Sequence, residues 1–243
     1  MPRRLRLCDM HCHILPGIDD GCKTAEESLA MLHKSWDQGI RWMFLTPHYD
    51  HHISIQEFMQ VREASYQELL SAVSPETEDI PYLQLGAEVA FFQGISHEEN
   101  LDWLCLGKSN YLLLEMPFSP WSPAVLRELN TLQYSLGIHI IIAHIERYLF
   151  LQDAQTQNAI FDTDFLFQTN SSFLLTDFRR AERLIRSGFI DFLGSDSHSP
   201  VERPQNLRKS ADLLEKKGYY EELKAMTDLA KAVFRGEYLS END

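Results

Sequence analysis

The chain has 243 residues, enough for one domain with a substantial hydrophobic core, and we expect residues 1–243 to form that single domain. Its 36 Asp and Glu residues outnumber its 22 Lys and Arg residues and give a net charge of -14. A charge of this sign and size disfavours a broad electrostatic footprint for DNA or RNA, so we expect no nucleic-acid partner.

Hydropathy and cysteine usage bear on the compartment. No apolar stretch approaches the ~20 residues of a membrane span, and the basic start at residues 2–4 is not followed by the apolar region of a signal peptide. The four cysteines form no C-x-x-C pair, and none has an arginine six positions downstream, as thiolate phosphatases do. We therefore expect a cytoplasmic protein that is not an integral membrane protein and whose chemistry does not use cysteine.

Short apolar runs alternate with amphipathic stretches along the chain. The apolar runs predict seven strands, at residues 4–9, 42–46, 82–88, 111–115, 139–143, 166–169 and 192–194. The amphipathic stretches predict helices at residues 24–38, 55–74, 123–136, 176–187, 206–217 and 221–234. Gly39, Gly137 and Gly188 occupy the expected C-terminal cap position of three of them. This alternation is typical of a parallel sheet, and seven repeats indicate an α/β fold with a closed or nearly closed barrel.

The first predicted strand ends in the run Asp9-Met10-His11-Cys12-His13. Successive side chains of extended backbone alternate between faces, so His11 and His13 point the same way and can bind one metal ion. The run Gly194-Ser195-Asp196-Ser197-His198 repeats the arrangement after the last predicted strand, with one carboxylate and one imidazole. Both ends of the chain are therefore predicted to deliver ligands to one place.

Residues of metal-ligand type follow or end six of the seven predicted strands, all except the sixth. They are His11, His13, His48, Glu88, Glu115, His144, Asp196 and His198. The C-terminal ends of parallel strands converge on one mouth of a barrel, where active sites lie. Glu88 and Glu115 end apolar runs, where a carboxylate is costly to bury without a cation. The pattern therefore predicts one metal cluster at the barrel mouth.

Two neighbouring segments have more than one interpretation. The run Asp19-Asp20-Gly21 is either a turn in which Gly21 supplies a positive φ or the source of one further carboxylate ligand. His51 and His52 are spare ligands or substrate contacts, or residues of a solvated loop, which is the simpler interpretation.

A mixed set of imidazoles and carboxylates suits Mn, Zn or Fe, and more than four ligands indicate more than one ion. Such ions generate hydroxide near neutral pH and stabilise charge on a phosphoryl oxygen, so hydrolysis is the expected chemistry. Arg147, three residues after His144, and Arg203, five after His198, lie in predicted mouth loops where a guanidinium can bind phosphate. Surface salt bridges are the alternative role for both arginines.

Five segments carry a family resemblance. They are residues 9–21 (D-M-H-C-H-I-L-P-G-I-D-D-G), 46–48 (T-P-H), 86–88 (G-A-E), 143–148 (A-H-I-E-R-Y) and 195–198 (S-D-S-H). Together they resemble the polymerase and histidinol phosphatase (PHP) superfamily. Within it, the chain is similar to the bacterial metal-dependent protein-tyrosine phosphatases of capsule and exopolysaccharide biosynthesis.

The resemblance implies a distorted (β/α)7 TIM-like barrel of the PHP type with three divalent metal ions, often Mn2+, with Fe or Zn as alternatives. By position it assigns three ligand sets: His11, His13, Glu88 and Asp196; Glu88, Glu115 and His144; and Asp20, His48 and His198. It also assigns phosphate binding to Arg147 and Arg203 as the catalytic and substrate-binding residues.

The activity implied by the resemblance is phosphotyrosine-protein phosphatase. A metal-bridging hydroxide attacks phosphorus in line while the metals and both arginines bind the non-bridging oxygens. The implied partner is a phosphotyrosine protein, a bacterial tyrosine autokinase of capsular or extracellular polysaccharide biosynthesis. Two alternatives stay open: a small-molecule phosphatase of the histidinol-phosphatase type shares the metal cluster, and a non-enzymatic PHP interaction module would lack ligands, whereas this sequence keeps them all.

Overall fold

Parallel strands form the centre of the fold in a computed structural model, which describes residues 4–74 and 79–237. The strands of the described residues are β1 (Leu7–Asp9), β2 (Ile40–Leu45), β3 (His48–Tyr49), β4 (Tyr82–Leu85), β5 (Glu88–Ala90), β6 (Tyr111–Glu115), β7 (His139–Ile142), β8 (Leu166–Asn170) and β9 (Phe192–Gly194). One sheet has the order β1-β2-β4 and the other the order β3-β5-β6-β7-β8-β9, and every strand pair is parallel. The predicted mixed α/β fold with a parallel sheet is therefore confirmed.

Helices follow most of the strands. They are α1 (Ala25–Asp37), α2 (Ile55–Ala72), α3 (Pro123–Asn130), α4 (Ile145–Tyr148), α5 (Ala154–Phe161), α6 (Ser171–Thr176), α7 (Phe178–Arg186), α8 (Leu207–Lys217) and α9 (Tyr220–Arg235). Thr24 caps α1 by accepting a hydrogen bond from Glu27 N, as the Thr-x-x-Glu spacing indicates. Gly39, Gly137 and Gly188 all have a positive φ, as helix-terminating glycines do. No helix of the described residues is both long and apolar enough to cross a membrane.

The predicted strand at residues 82–88 is interrupted, and the one at residues 42–46 is followed by a short strand outside its predicted bounds. Strand three divides into β4 and β5 at Gly86 and Ala87, and β2 continues after a break as β3. Backbone hydrogen bonds from Gly86 N to Leu45 O (2.9 Å) and from Glu88 N to Pro47 O (3.0 Å) join these two broken strands across the breaks. The break frees Gly86 O, which accepts a hydrogen bond from the buried guanidinium of Arg62 at 2.7 Å. Glu88 therefore begins a short strand, where the sequence predicted that it would end one.

The first and last strands meet through the segments that follow them. Asp196 N donates to His11 O (2.8 Å), His13 N donates to Ser197 O (2.9 Å), and Cys12 forms an isolated parallel bridge with Ser197. The two histidine-containing runs at opposite ends of the sequence are thus paired side by side, as the sequence predicted.

Alternate faces of the strands are buried in two hydrophobic clusters. In β6, Leu113 belongs to one cluster, and Leu112 and Leu114 belong to the other. Burial on both faces is typical of parallel strands covered by helices. Helix α9 contributes Phe234 to the cluster of Leu113, and this ring packs edge-on against Phe44 with centroids 5.2 Å apart. Apolar side chains, including that of Phe234 in α9, form this cluster, whereas the predicted metal ligands lie beyond the C-terminal strand ends.

Some short helices were not predicted. The segments that follow β7 and β8 contain α4 and α6, each too short to show helical periodicity, and α5 was not predicted either. The predicted helix at residues 123–136 is shorter, because α3 ends at Asn130 and continues as a π-helical turn, Thr131–Ser135. Each of the seven predicted strands nevertheless overlaps an observed strand.

Asp191 provides a test of stability away from the strand ends that carry the candidate ligands. Burial raises the pKa of Asp191 to about 6, and the hydrogen bond from Phe167 N (2.8 Å) offsets only part of the rise. The folded state therefore binds this proton more tightly than the unfolded state, so stability is lost as the pH rises from about 4 through 6. We expect Asp191→Asn, which keeps an acceptor oxygen, to raise the free energy of unfolding at pH 7.5 by about 1–2 kcal/mol. Urea denaturation of the variant and the unaltered protein over this pH range measures the free energy of unfolding. If the difference between the two proteins does not grow with pH, the account is contradicted.

Candidate metal centre

The nine predicted ligands converge beyond the C-terminal strand ends. Their donor atoms form four overlapping groups in which all atoms lie within 4.8 Å of one another. The groups are His13, Asp20, His48 and His198; His11, His13 and Glu88; His11, His144 and Asp196; and His48, Glu88 and Glu115. Six separate parts of the chain therefore bring their imidazoles and carboxylates to one place.

Four of these histidines are oriented through Nδ1, which faces an oxygen acceptor in every case. The acceptors are Gln168 Oε1 for His11 (3.3 Å), Asp19 Oδ2 for His13 (2.8 Å), Asn170 Oδ1 for His144 (2.7 Å) and the Asp196 carbonyl oxygen for His198 (3.0 Å). A neutral imidazole that donates through Nδ1 carries its lone pair on Nε2. All four rings are therefore set in the tautomer that binds a cation through Nε2.

One compact triangle of ligand atoms consists of Nε2 of His11, Nε2 of His13 and Oε2 of Glu88. The two nitrogens lie 3.0 Å apart, and they lie 3.0 Å and 3.1 Å from the Glu88 oxygen. Two Nε2 lone pairs that face each other repel unless a cation or a proton lies between them. Ligands about 2.1 Å from a common ion and at right angles to one another lie about 3 Å apart, so this triangle fits a divalent metal ion.

Two carboxylate oxygens in the cluster lack hydrogen bonds. Oε2 of Glu88 and Oδ1 of Asp196 are buried and have no hydrogen-bond partner among the described residues. Burial by itself would raise the pKa of Glu88, but the imidazoles of His11 and His144 hold the pKa well below its ordinary value. Burial also acts to raise the pKa of Asp196, and the same two imidazoles lower it. Both side chains are thus buried, and each has one oxygen that accepts no hydrogen bond, a combination that a bound cation stabilises.

His48 departs from the pattern of the other histidines. Its Nδ1 lies 3.1 Å from Glu88 Oε2 and its Nε2 lies 3.5 Å from Asp20 Oδ1. It therefore lies between two carboxylates, and it groups with Glu115 as well as with Asp20. The sequence-based assignment put Glu115 with His144, whereas here Glu115 groups with His48 and Glu88. The predicted ligands therefore all lie together, but their grouping differs from the sequence-based assignment.

Backbone strain is concentrated at two of these residues. His144 and Asp196 have φ values of 52° and 51°, in the left-handed region that non-glycine residues rarely adopt. Each is the second residue after a strand, His144 after β7 and Asp196 after β9, and the unusual backbone turns its side chain into the cluster. Gly194 allows the close approach there, because a Cβ on it would lie 2.6 Å from both His11 Cβ and Gln168 Nε2.

The two aspartates of the turn at residues 19–21 have different roles. Asp19 accepts hydrogen bonds from His13 Nδ1, from His48 N (3.1 Å) and from Gly21 N (2.9 Å), so it orients two predicted ligands. Asp20 is the one whose carboxylate faces His198 Nε2, at 3.2 Å. The positive φ expected at Gly21 was wrong. Glycine is required there because a Cβ would lie 2.0 Å from the carbonyl oxygen of His13.

The predicted sixth strand, β8, has a function that the sequence did not indicate. It supplies no ligand, but Gln168 and Asn170 project from it into the cluster. Asn170 accepts from His144 Nδ1 and donates from Nδ2 to Asp196 Oδ2, both at 2.7 Å. The half-buried carboxylate of Glu146 holds this end of β8 by accepting from Asn170 N (3.2 Å). A single amide therefore joins the two residues that have strained backbones.

Substitution of Asn170 tests this supporting role. We expect Asn170→Ala to lower metal affinity or turnover by about 10- to 100-fold, because His144 and Asp196 lose the group that orients both. Asn170→Asp should not rescue it, since it places a second carboxylate against Asp196. Isothermal titration with Mn2+ measures the affinity, with Asn158→Ala on the exposed face of α5 as the control. Metal binding by Asn170→Ala equal to that of the unaltered protein would contradict the role.

Arg147 and Arg203 border a cleft of about 330 Å³ together with His48, Glu88, Glu115, His144 and Asp196. Both guanidinium groups donate to the same oxygen, Asp196 Oδ2, at 3.2 Å from Arg147. Arg203 also donates to His198 Nε2 (2.8 Å). The two side chains remain 38% and 41% exposed, so N–H donors are left to face the cleft. The predicted position of both arginines beside the ligands is thus observed, and a cleft between them can receive an anion.

Comparison with known proteins identifies relatives of similar length to this chain. A family model described as capsular polysaccharide synthesis, CpsB/CapC, matches residues 7–232. Tyrosine-protein phosphatase YwqE of Bacillus subtilis is 28% identical over 242 residues, which cover 95% of this chain and 92% of the relative. Tyrosine-protein phosphatase CpsB of Streptococcus pneumoniae is 27% identical over 231 residues, which cover 87% of this chain and 90% of the relative.

The fold is also shared with a solved structure. It comes from work on YwqE from Bacillus subtilis and CpsB from Streptococcus pneumoniae, described as unique metal-dependent tyrosine phosphatases. The TM-score is 0.80 at 23% sequence identity, and the match covers 96% of each chain.

Proposed function

The chain belongs to the CpsB/CapC family of capsular polysaccharide synthesis, and on that premise we propose that it is a metal-dependent protein-tyrosine phosphatase. The observation that carries the proposal is the convergence of nine imidazole and carboxylate ligands with two arginines around one cleft. Imidazoles and carboxylates bind divalent metals, and guanidinium groups bind phosphate. Three divalent ions together with the two guanidinium groups would outweigh the four carboxylates of this set and attract a phosphate anion.

The proposed metal ligands are His11, His13, Asp20, His48, Glu88, Glu115, His144, Asp196 and His198. We propose that they bind three divalent ions, with Mn2+ preferred and Fe or Zn as alternatives. Ions held in this way supply hydroxide near neutral pH and neutralise charge on phosphoryl oxygens. Glu88 is central to the set, since its two oxygens lie within about 3 Å of four different imidazoles.

Arg147 and Arg203 bind the phosphoryl group. Their shared contact with Asp196 holds the two guanidinium groups on one side of the cleft, and their remaining N–H donors are directed to the non-bridging oxygens. Donors fixed in this way stabilise the charge that develops during phosphoryl transfer without further reorganisation. The leaving group is a phenolate, which needs less proton donation than an alkoxide does.

The proposal includes a fold and a cellular setting. We interpret the two sheets as one distorted (β/α)7 barrel of the PHP type, with β2 and β3 as one interrupted strand and β4 and β5 as another. We propose that residues 1–243 form one domain. All four cysteines are buried and free, which supports a reducing cytoplasm. The proposed substrate is a phosphotyrosine protein, a tyrosine autokinase of polysaccharide biosynthesis.

Turnover of two phosphate esters tests the proposed function. The protein, purified without chelators and supplied with Mn2+, should hydrolyse a phosphotyrosine peptide with a higher kcat/KM than histidinol phosphate. Higher kcat/KM for histidinol phosphate would indicate a small-molecule phosphatase instead. Hydrolysis of neither ester would contradict phosphatase activity and favour an interaction module.

A further inference from the structure

A second groove opens beside the metal-ligand cleft, on the side of β5 and β6. It has a volume of about 430 Å³ and shares Glu115 and Arg147 with the cleft, so the two spaces adjoin at these side chains. Beyond them its lining is apolar and aromatic, and consists of Ala90, Phe91, Met116, Pro117, Phe118 and Tyr148. Of the two adjoining spaces, the cleft is therefore lined by charged side chains and the groove mainly by aromatic and apolar ones.

The two walls of this groove are fixed to each other. Phe91, which follows β5, donates its backbone N–H to the carbonyl oxygen of Glu115 at the end of β6 (2.8 Å). Tyr148 of α4 lies next to both walls, and its hydroxyl contacts the Glu115 carboxylate at 3.5 Å. The groove thus exists before any ligand binds.

The loop that carries Phe118 is also held in place. Buried Gln152 accepts a hydrogen bond from Trp121 N (2.7 Å) and donates to the carbonyl oxygens of Ser119 (3.3 Å) and Tyr148 (3.1 Å). These bonds fasten the loop to the helix that carries Arg147. Phe118 is nevertheless 73% exposed, and its ring meets that of Tyr148 edge-on with centroids 6.2 Å apart. A large apolar ring is therefore held in solvent beside a catalytic arginine.

We propose that this groove, the aryl groove, binds the phenyl ring of phosphotyrosine and that Phe118 and Phe91 determine specificity for aryl over alkyl phosphate esters. The inference rests on the proposed function. When a phosphoryl group lies against Arg147, its ester oxygen lies near the border between cleft and groove. In an aryl ester the ring is bonded directly to that oxygen, so it enters the groove and packs against aromatic walls in offset or edge-on contact. An alkyl ester has no ring to fill this space.

Two phosphonates test the groove without any bond cleavage. Benzylphosphonate carries a methylene in place of the ester oxygen and keeps the ring, and ethylphosphonate lacks the ring. Calorimetry with the Mn2+-loaded protein should show that Phe118→Ala weakens benzylphosphonate binding by about 5- to 20-fold and leaves ethylphosphonate binding unchanged. Phe118→Leu should recover part of the loss. Tyr82→Ala, at the start of β4 and similarly exposed at 70%, is the control and should change neither affinity.

The same variants are compared in kcat/KM for p-nitrophenyl phosphate and a phosphotyrosine peptide. Loss on both aryl substrates, together with the selective loss of benzylphosphonate binding, supports the aryl groove. Unchanged benzylphosphonate binding overturns it, as does an equal loss for ethylphosphonate or a loss confined to the peptide. If the unaltered protein fails to hydrolyse either ester, the proposed function fails, while the phosphonate measurement still tests the groove.

Discussion

Replacing Glu88 with alanine is expected to remove more than one metal ion from each protein molecule and to lower turnover of a phosphotyrosine peptide by more than about 100-fold. Glu88 is fully buried, and its oxygens contact the imidazoles of His11, His13, His48 and His144 at 2.7–3.1 Å. A carboxylate shared in this way compensates charge in more than one group of ligands, so its loss affects several ions together.

Metal content per protein molecule and kcat, measured on the same preparations, check this expectation. Glu88→Gln keeps the size of the side chain and removes the charge, so it separates charge compensation from packing. Glu68→Ala, on the exposed surface of α2, controls for purification losses. Full metal content with near-normal turnover in Glu88→Ala would exclude the shared-ligand role.

The second large effect is expected at the two arginines. Arg147→Ala and Arg203→Ala should each lose about 2–4 kcal/mol of transition-state stabilisation, the loss typical of removing one preorganised donor. Metal content should be kept in each variant, because Asp196 Oδ2 still accepts hydrogen bonds from Asn170 and from the other arginine. Lysine at either position should restore little, since it lacks the planar pair of donors.

Values of kcat/KM on a phosphotyrosine peptide for Arg147→Ala, Arg147→Lys, Arg203→Ala and Arg203→Lys, measured alongside metal content, test this prediction. Arg180→Ala on α7, whose guanidinium stacks on Phe150 away from the cleft, is the matched control. If both alanine variants hydrolyse the peptide as the unaltered protein does, the arginines are surface residues, and phosphate binding loses its support outside the metal ligands.

The convergence of the candidate ligands could be predicted because it follows from local rules. Alternation along an extended strand places His11 and His13 on one side, and the common direction of parallel strands brings Glu115 and Asp196 to the same end. The motifs around these residues also predicted a bacterial capsule phosphatase family, which the CpsB/CapC match over residues 7–232 confirms.

The supporting residues could not be predicted because their roles depend on tertiary contacts. Nothing near Asn170 in the sequence indicates that its amide joins His144 to Asp196, which lie 26 residues away on either side. Asp19 and Asp20 are adjacent and chemically alike, and only the folded turn directs one to orient His13 and the other to face His198. Backbone strain at His144 and Asp196 likewise results from the packing around them, not from their residue type.

The dependence of phosphotyrosine turnover on bound metal tests the central claim most directly. Exhaustive chelation should abolish hydrolysis of the peptide, and Mn2+ added back should restore it. Cys12→Ser should retain much of the activity and the same dependence, because burial raises the pKa of the Cys12 thiol well above its ordinary value and keeps it from acting as a nucleophile. Robust hydrolysis by protein shown to be free of metal, or loss of activity in Cys12→Ser with metals and fold intact, would contradict the account.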